Sequence, residues 1–275
     1  MVITDLTHPF ELTLNTRVSD IYSPNLLKLS LDEKVTSARK LFRDSRQRIA
    51  LVVDRYDKLQ GVVTRGDILV VTSSKSTALI KDVMSPPLVT TTPDERVSAI
   101  LPRMLRVDEW YVPVTQNGKA VGVLGLEHII QRMLDENKEY LETVRVETIM
   151  SKDVVSVEWN DHVNRVWDKM VEYKYAGLPV VDEKGRLVGI ITQYDLLARG
   201  VRISLESSSG PTRLAKIREV MTSNVVYIYP WDTVEKAATV MVSKGFGRLP
   251  VVSDAERRIL IGIVDREDIV RILVG

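Results

Sequence analysis

Residues 154–198 switch twice between an alternating and a helical spacing of apolar positions, and those switches predict a small α/β unit. Val154-Val155-Ser156-Val157 is a short β-branched run, the mark of a strand. Asp161 then offers a helix cap. Val163, Val166, Trp167, Met170 and Val171 follow at three- and four-residue steps, as one face of a helix does. Ala176-Gly177 ends that helix. Leu178-Pro179-Val180-Val181 predicts a second strand, and Asp182-Glu183-Lys184-Gly185 a turn whose late glycine suits positive φ. Leu187 to Ile191 predicts a third strand, and Thr192-Gln193-Tyr194-Asp195 opens a last helix. The order is β-α-β-β-α.

The same order recurs four times. Ile21-Tyr22-Ser23, Val83-Met84-Ser85, Ile149-Met150-Ser151 and Val220-Met221-Thr222 each precede, by roughly 45 residues, one of Asp67-Ile68-Leu69, His128-Ile129-Ile130, Asp195-Leu196-Leu197 and Asp268-Ile269-Val270. A spacing of about 62 to 71 residues between copies means one structural unit reused. In the fourth copy Val225 to Ile228 predicts the first strand, and Thr233 to Lys244 a helix with Val234, Ala237, Ala238 and Met241 on one face. One such unit has a small core, and pairing lets two units bury their strand faces together. We therefore expect an α/β (α+β) protein of two modules. Residues 1–140 hold repeats at about 17–72 and 80–134; residues 141–275 hold repeats at about 145–200 and 215–275. Gln131 to Val144 reads as an exposed helical connector, and Arg199 to Leu214, with Ser207-Ser208-Ser209-Gly210-Pro211, as a loop.

Gly177-Leu178-Pro179-Val180-Val181 followed by Gly189-Ile190-Ile191-Thr192-Gln193-Tyr194-Asp195 resembles the CBS domain, named after cystathionine β-synthase. Gly247 to Val252 with Gly262 to Asp268 resembles it well. Gly61 to Asp67 does so in the C-terminal half, while the second copy diverges at Gly125-Leu126-Glu127-His128. The resemblance covers residues 17–275, and the four-repeat arrangement is similar to the nucleotide-sensing γ subunit of AMP-activated protein kinase. It implies paired repeats with two clefts per module for adenosine-containing ligands, and regulation rather than catalysis.

The residues suit that expectation. A helix start offers free N–H groups to phosphate, and the Thr192 hydroxyl can donate to a phosphate oxygen. The Asp195 carboxylate can accept from both hydroxyls of a ribose. Val154, Val155, Tyr175, Ala176 and Pro179 offer an apolar slot for adenine, with Gly177 permitting close backbone approach. The resemblance places Arg248 of the fourth repeat near the phosphate. AMP, ADP or ATP are the expected ligands, and S-adenosylmethionine or NAD the alternatives. The first repeat keeps Thr64 and Asp67, with Arg46 and Arg48 nearby, but Ile49-Ala50-Leu51 replaces the Gly-x-Pro loop. In the fourth, Asp265 stands where threonine is expected and would repel phosphate, while Asp268 still suits a ribose, so that cleft is expected to be empty or to hold an uncharged nucleoside end. Glu127 and His128 leave the second without the motif. Thr-x-x-Asp also reads as a capping box, which merely starts a helix. The two readings coexist, because a ligand uses N–H groups that the cap leaves free.

Composition narrows the remaining choices. A net charge of +1 gives no overall field toward nucleic acid or membrane, although Lys216, Arg218, Arg257, Arg258, Arg266 and Arg271 could line up as a basic strip for a partner or nucleic acid. The absence of cysteine excludes disulfides, thiolate metal sites and cysteine nucleophiles. His8, His128 and His162 are too scattered for a metal site. No nucleophile–base constellation is readable, so an enzyme is not expected and no cofactor is required. No apolar run approaches a membrane span, and no signal core opens the chain, which suggests a cytoplasmic protein. Exposed strand or helix faces on such modules suggest a homodimer, and an effector protein is the expected target.

Overall fold

The computed structural model describes residues 9–71, 76–200 and 215–275. After a short helix α1 (Glu11–Asn15), the first repeat runs β1 (Lys28–Ser30), α2 (Val35–Ser45), β2 (Ile49–Val53), β3 (Leu59–Thr64) and α3 (Arg65–Val70). The second has α4 (Val97–Arg106), β4 (Tyr111–Gln116), β5 (Lys119–Gly125) and α5 (Leu126–Thr143). The third has β6 (Val157–Glu158), α6 (Val163–Glu172), β7 (Gly177–Val181), β8 (Leu187–Thr192) and α7 (Gln193–Ala198). The fourth has α8 (Ile217–Val220), α9 (Val234–Lys244), β9 (Arg248–Val252), β10 (Leu260–Asp265) and α10 (Arg266–Arg271).

The expected β-α-β-β-α order holds, with a weaker first strand. In repeats one and three that strand pairs in parallel with the next, β1 on β2 and β6 on β7, but β6 has only two residues. In repeats two and four it shrinks to single parallel bridges, Thr91–Val114 and Ile228–Val251, so the strand expected over Val225 to Ile228 is not formed. Tyr227 and Tyr229 engage each other's rings there, and Pro230 follows; a proline supplies no N–H to continue a ladder. Asp161 does not cap α6. His162 holds the cap position without a side-chain bond, and Asp161 pairs with Arg165 at 3.0 Å instead. Gly185 takes the expected positive φ, +74°.

Two kinds of contact join the repeats. Within the first module β2 and β5 pack face to face through Ile49, Leu51, Val53, Ala120 and Val123. Across the modules, repeat one shares a core with repeat three, including Phe42, Ile68, Val166, Leu178 and Leu196. Repeat two shares another with repeat four, including Ile129, Met133, Leu141, Ala237, Met241 and Ile269. Each of those side chains larger than alanine contributes roughly 1.5–3 kcal/mol when taken out of water. Helix α3 therefore lies against α7, and α5 against α9 and α10. The stretch Gln131 to Val144 is consequently not an exposed connector. It is the second half of α5, with Met133, Asn137 and Leu141 buried, and Asn137 accepts from the Thr13 hydroxyl and donates to the Pro9 carbonyl. The helix faces on which the homodimer expectation rested are used inside one chain. The serine-rich stretch 207–211 lies outside the described residues.

The segment that leads into each repeat docks on its partner repeat. Ser23 bridges Val123, Ser85 bridges Val62, Ser151 bridges Ile263 and Thr222 bridges Ile190. A glycine admits each leader. A Cβ on Gly122 would stand 2.2 Å from the Tyr22 ring and 2.5 Å from the Ser23 carbonyl oxygen; one on Gly189 would stand 2.4 Å from Met221 Sδ. Gly61 and Gly262 sit likewise under Met84 and Met150. The recurring Ile/Val-Met-Ser and Gly-Ile/Val signatures are thus two halves of one contact, exchanged between partners.

Candidate functional site

That exchange makes every cleft composite. Leader residues 151–155 of the third repeat lie beside the helix start of the fourth, and together they line a cavity of about 270 Å³, just below the roughly 300–1,000 Å³ of small-molecule sites. Its walls are Ser151, Lys152, Asp153, Val155 and Tyr175 from the third repeat, and Arg248, Ile263 and Asp265 from the fourth. Val155, Ile263 and Tyr175 are its apolar lining, and Lys152, Asp153, Arg248 and Asp265 its charged lining.

The residues predicted as one site are therefore divided between two clefts. Val155, Tyr175 and Arg248 belong to the Asp265 cavity; Asp268 lies outside its wall, near enough for its charge to act on Arg248. Thr192 and Asp195 lie at the other cleft of the module, where the fourth repeat's leader enters: the Thr222 hydroxyl donates to Asp195 Oδ1 at 3.1 Å. Ala176, Gly177 and Pro179 stand on the strand pair between. Gly177 faces Thr192 in the ladder, Pro179 faces Ile190, and the Ala176 carbonyl accepts the Gln193 N–H. Val154 is half-buried next to Val155. The sequence expectation joined motif and slot of the same repeat, whereas the leader exchange joins those of different repeats.

The motif residues form capping boxes. Thr192 donates from its N–H and hydroxyl to Asp195 Oδ2 (2.8 and 2.6 Å) and accepts from the Asp195 N–H at 3.2 Å. Thr64 and Asp67 repeat this at 2.7, 2.8 and 3.4 Å. Asp265 accepts from the N–H groups of Glu267 and Asp268, and its own N–H donates to Asp268 Oδ2. In repeat two the His128 imidazole takes the same place, accepting the Gly125 N–H on Nδ1 at 2.9 Å. Burial holds His128 below its ordinary value, which keeps it the neutral acceptor that this bond needs. The caps at Thr64 and Thr192 use one oxygen of their aspartate, and the fourth repeat's cap uses one oxygen each of Asp265 and Asp268. The helices α3, α7 and α10 have only six residues, so side chains rather than a helix dipole must carry recognition.

Three arginines converge where the modules meet. Arg248 donates to the Gly177 carbonyl at 2.9 Å and lies 4.6 Å over the Tyr175 ring. Burial lowers its guanidinium, while Asp265 and Tyr175 act in the opposite sense. Arg48 does not stay with Thr64: it crosses to the fourth repeat and donates to the Gly245 carbonyl at 2.9 Å. Arg65, which the sequence reading passed over, donates to the Arg46 carbonyl and packs 5.0 Å from the Tyr194 ring, beside Arg46 at 5.5 Å. Burial first, and Arg48 second, lower Arg65 to about 10, and its Nε is buried with no hydrogen-bond partner among the described residues. Around Asp265 the balance is acidic. Burial raises Asp265, and raises Asp268 to about 7 with Asp265 as the next cause.

The second repeat's motif position is filled by protein. Glu127 turns across Gly125 and pairs with Arg266 of the fourth repeat at 2.7 Å, while the same guanidinium nitrogen donates to the Tyr111 hydroxyl at 2.6 Å. Arg266 is thereby removed from the expected basic strip; Arg271 pairs with Glu267 and Arg218 donates to Asn160.

The chain belongs to the CBS domain family, whose model matches residues 18–73, 80–135, 146–201 and 217–275. Protein MJ1225 of Methanocaldococcus jannaschii is 27% identical over 199 residues, which are 68% of this chain and 71% of that protein. The inosine-5′-monophosphate dehydrogenase of the same organism is 32% identical over 151 residues, yet these are only 28% of that enzyme. The crystal structure of MJ1225, described as a candidate archaeal homologue of g-AMPK, superposes with a TM-score of 0.82 at 21% identity, over 94% of this chain and 100% of that one. A conserved Pyrococcus horikoshii protein superposes at 0.64 and 24% identity, over the same shares. These two structures share the fold. Among the described residues, no helix is long and apolar enough to cross a membrane.

Proposed function

We propose that this chain is a non-catalytic regulatory protein that binds adenosine-containing ligands in its composite clefts. The observation that carries the reading is the cavity between repeats three and four. Its wall combines Val155, Tyr175 and Ile263, which suit a base, with the carboxylates of Asp153 and Asp265, which suit a sugar. Threonine hydroxyls at Thr192 and Thr64 suit AMP, ADP or ATP in their own clefts, and Arg65 with Arg48, beside Asp195, supplies cations toward which phosphates would point. S-adenosylmethionine and NAD are the alternative adenosyl ligands. Because the arginines and helices at the junction come from both modules, a ligand there would bias how the modules sit, by no more than its difference in affinity for the two arrangements. The target of that change is an effector protein, and a homodimer would need a surface other than the helix faces already covered.

Isothermal titration with AMP, ADP, ATP, NAD and S-adenosylmethionine tests the reading. At least one should bind, and Asp268→Ala or Asp195→Ala should weaken it about tenfold or more by removing the acceptor for the ribose hydroxyls. No heat with any of the five would end it.

A further inference from the structure

The clefts of this module begin with different side chains, and the difference is one of charge. Asp265 occupies the place of Thr192 and Thr64, caps its helix as they do, and faces into the cavity. A threonine hydroxyl can turn its one proton from the cap carboxylate to a phosphate oxygen, whereas an ionised carboxylate only accepts. We propose that Asp265 sets the specificity of the cavity between repeats three and four, selecting adenosyl ligands whose 5′ end is neutral or cationic (a nucleoside, thioether or sulfonium) over nucleotides. This rests on the ligand-binding reading above and names the class for one of its clefts.

The surroundings reinforce the choice. Asp153 adds a carboxylate to the cavity wall, while Glu267, next to Asp265 at the same helix start, is already paired with Arg271. Arg248, the cation expected to meet a phosphate, is bonded to the Gly177 carbonyl, stacked on Tyr175 and offset by Asp265 and Asp268. Lys152 is the other cation on the wall, and it is exposed. The two wall carboxylates, Asp153 and Asp265, match the two cations in number, but Arg248 is already engaged by Gly177 and Tyr175, so a phosphate at the helix start would meet Asp265 without a free buried cation, whereas a sulfonium there would be attracted. Tyr175 and Val155 would still hold the adenine, and the Asp268 oxygen not used by the cap would still face the ribose.

The test titrates the full chain with 5′-methylthioadenosine, S-adenosylmethionine and AMP. Val155→Trp, which fills the apolar slot, identifies the part of each isotherm that belongs to this cavity. The wild type should bind the first two there at least tenfold more tightly than AMP, and Asp265→Thr should move the preference at least tenfold toward AMP. Threonine is the residue that caps the equivalent helices, so this variant keeps the fold; Asp265→Asn, which removes only the charge, should shift the preference in the same direction. Equal binding of AMP and 5′-methylthioadenosine at the Val155→Trp-sensitive site, unchanged in both Asp265 variants, overturns the specificity while leaving the adenosyl reading intact. A Val155→Trp variant that alters no isotherm shows instead that the cavity holds no adenosyl ligand, and overturns both for this cleft.

Discussion

Arg266 leaves the fourth repeat and closes on Glu127 of the second at 2.7 Å, with its side chain 3% exposed. The pair fastens one module to the other and occupies the ground where the second repeat's ligand motif would be. Glu127→Ala would strand a buried guanidinium and cost about 3–5 kcal/mol of stability, while Glu127→Gln, which keeps an acceptor for the hydrogen bond, would cost less. Denaturant unfolding of the two variants measures the gap; equal losses would mean that the charge is irrelevant there.

Leader docking should be most sensitive where backbone stands behind the glycine. A methyl on Gly122 meets the Ser23 carbonyl oxygen at 2.5 Å as well as the Tyr22 ring, whereas on Gly189 its nearest neighbour is a methionine sulfur that can swing away. We expect Gly122→Ala to destabilise by about 1–3 kcal/mol, as overpacking does, and Gly189→Ala by less. Thermal melts of the two single variants give the order.

Stability should carry the mark of Asp268. Its carboxyl is raised to about 7, chiefly by burial and then by Asp265, against about 3.9 for a free aspartate. Between those values the folded state holds more protons than the unfolded one, so this group's stabilisation is complete below about pH 4 and is lost as pH rises through about 7. The groups that face it are Asp265 and Glu267 at the same helix start and Arg248 on β9. Ligand-free Asp268→Asn should therefore gain a few degrees of Tm on wild type at pH 8, roughly 2–4 °C per kcal/mol at this size, and lose that advantage at pH 4. A gain that does not depend on pH would contradict the assignment.

Thr192 carries two roles that stability and affinity can separate. As a cap it should be worth about 0.5–2 kcal/mol, so Thr192→Ala should lower ligand-free stability by that amount and Thr192→Ser should restore it. As a phosphate donor it should also matter to AMP more than to adenosine. If alanine weakens both ligands equally, the hydroxyl is a cap alone.

Much of this was readable before any coordinates. The four-fold repeat, the β-α-β-β-α order and the Thr-x-x-Asp caps follow from local rules: β-branched runs, three- and four-residue apolar steps, and hydrogen bonds that close within one turn. Asp161 misled because an acidic residue before a helix has two local uses, and here it is tied to Arg165. The Gln131–Val144 stretch misled because its charges are visible in sequence, while the burial of Met133, Asn137 and Leu141 depends on α1 and on the fourth repeat.

The sequence by itself determined the repeat, the caps, the missing threonine at Asp265 and the divergence at Glu127–His128, because each is a matter of residue type at a fixed spacing. Only the tertiary structure decided which slot belongs to which motif. Ser151 docks on Ile263 and Thr222 on Ile190 because strand edges and facing glycines happen to match across the pair. That contact spans some hundred residues or a few dozen, and carries no periodicity along the chain. The same holds for Arg48 meeting Gly245 and for Arg266 meeting Glu127: a guanidinium is recognisable in sequence, but the carbonyl or carboxylate that it satisfies is chosen by packing.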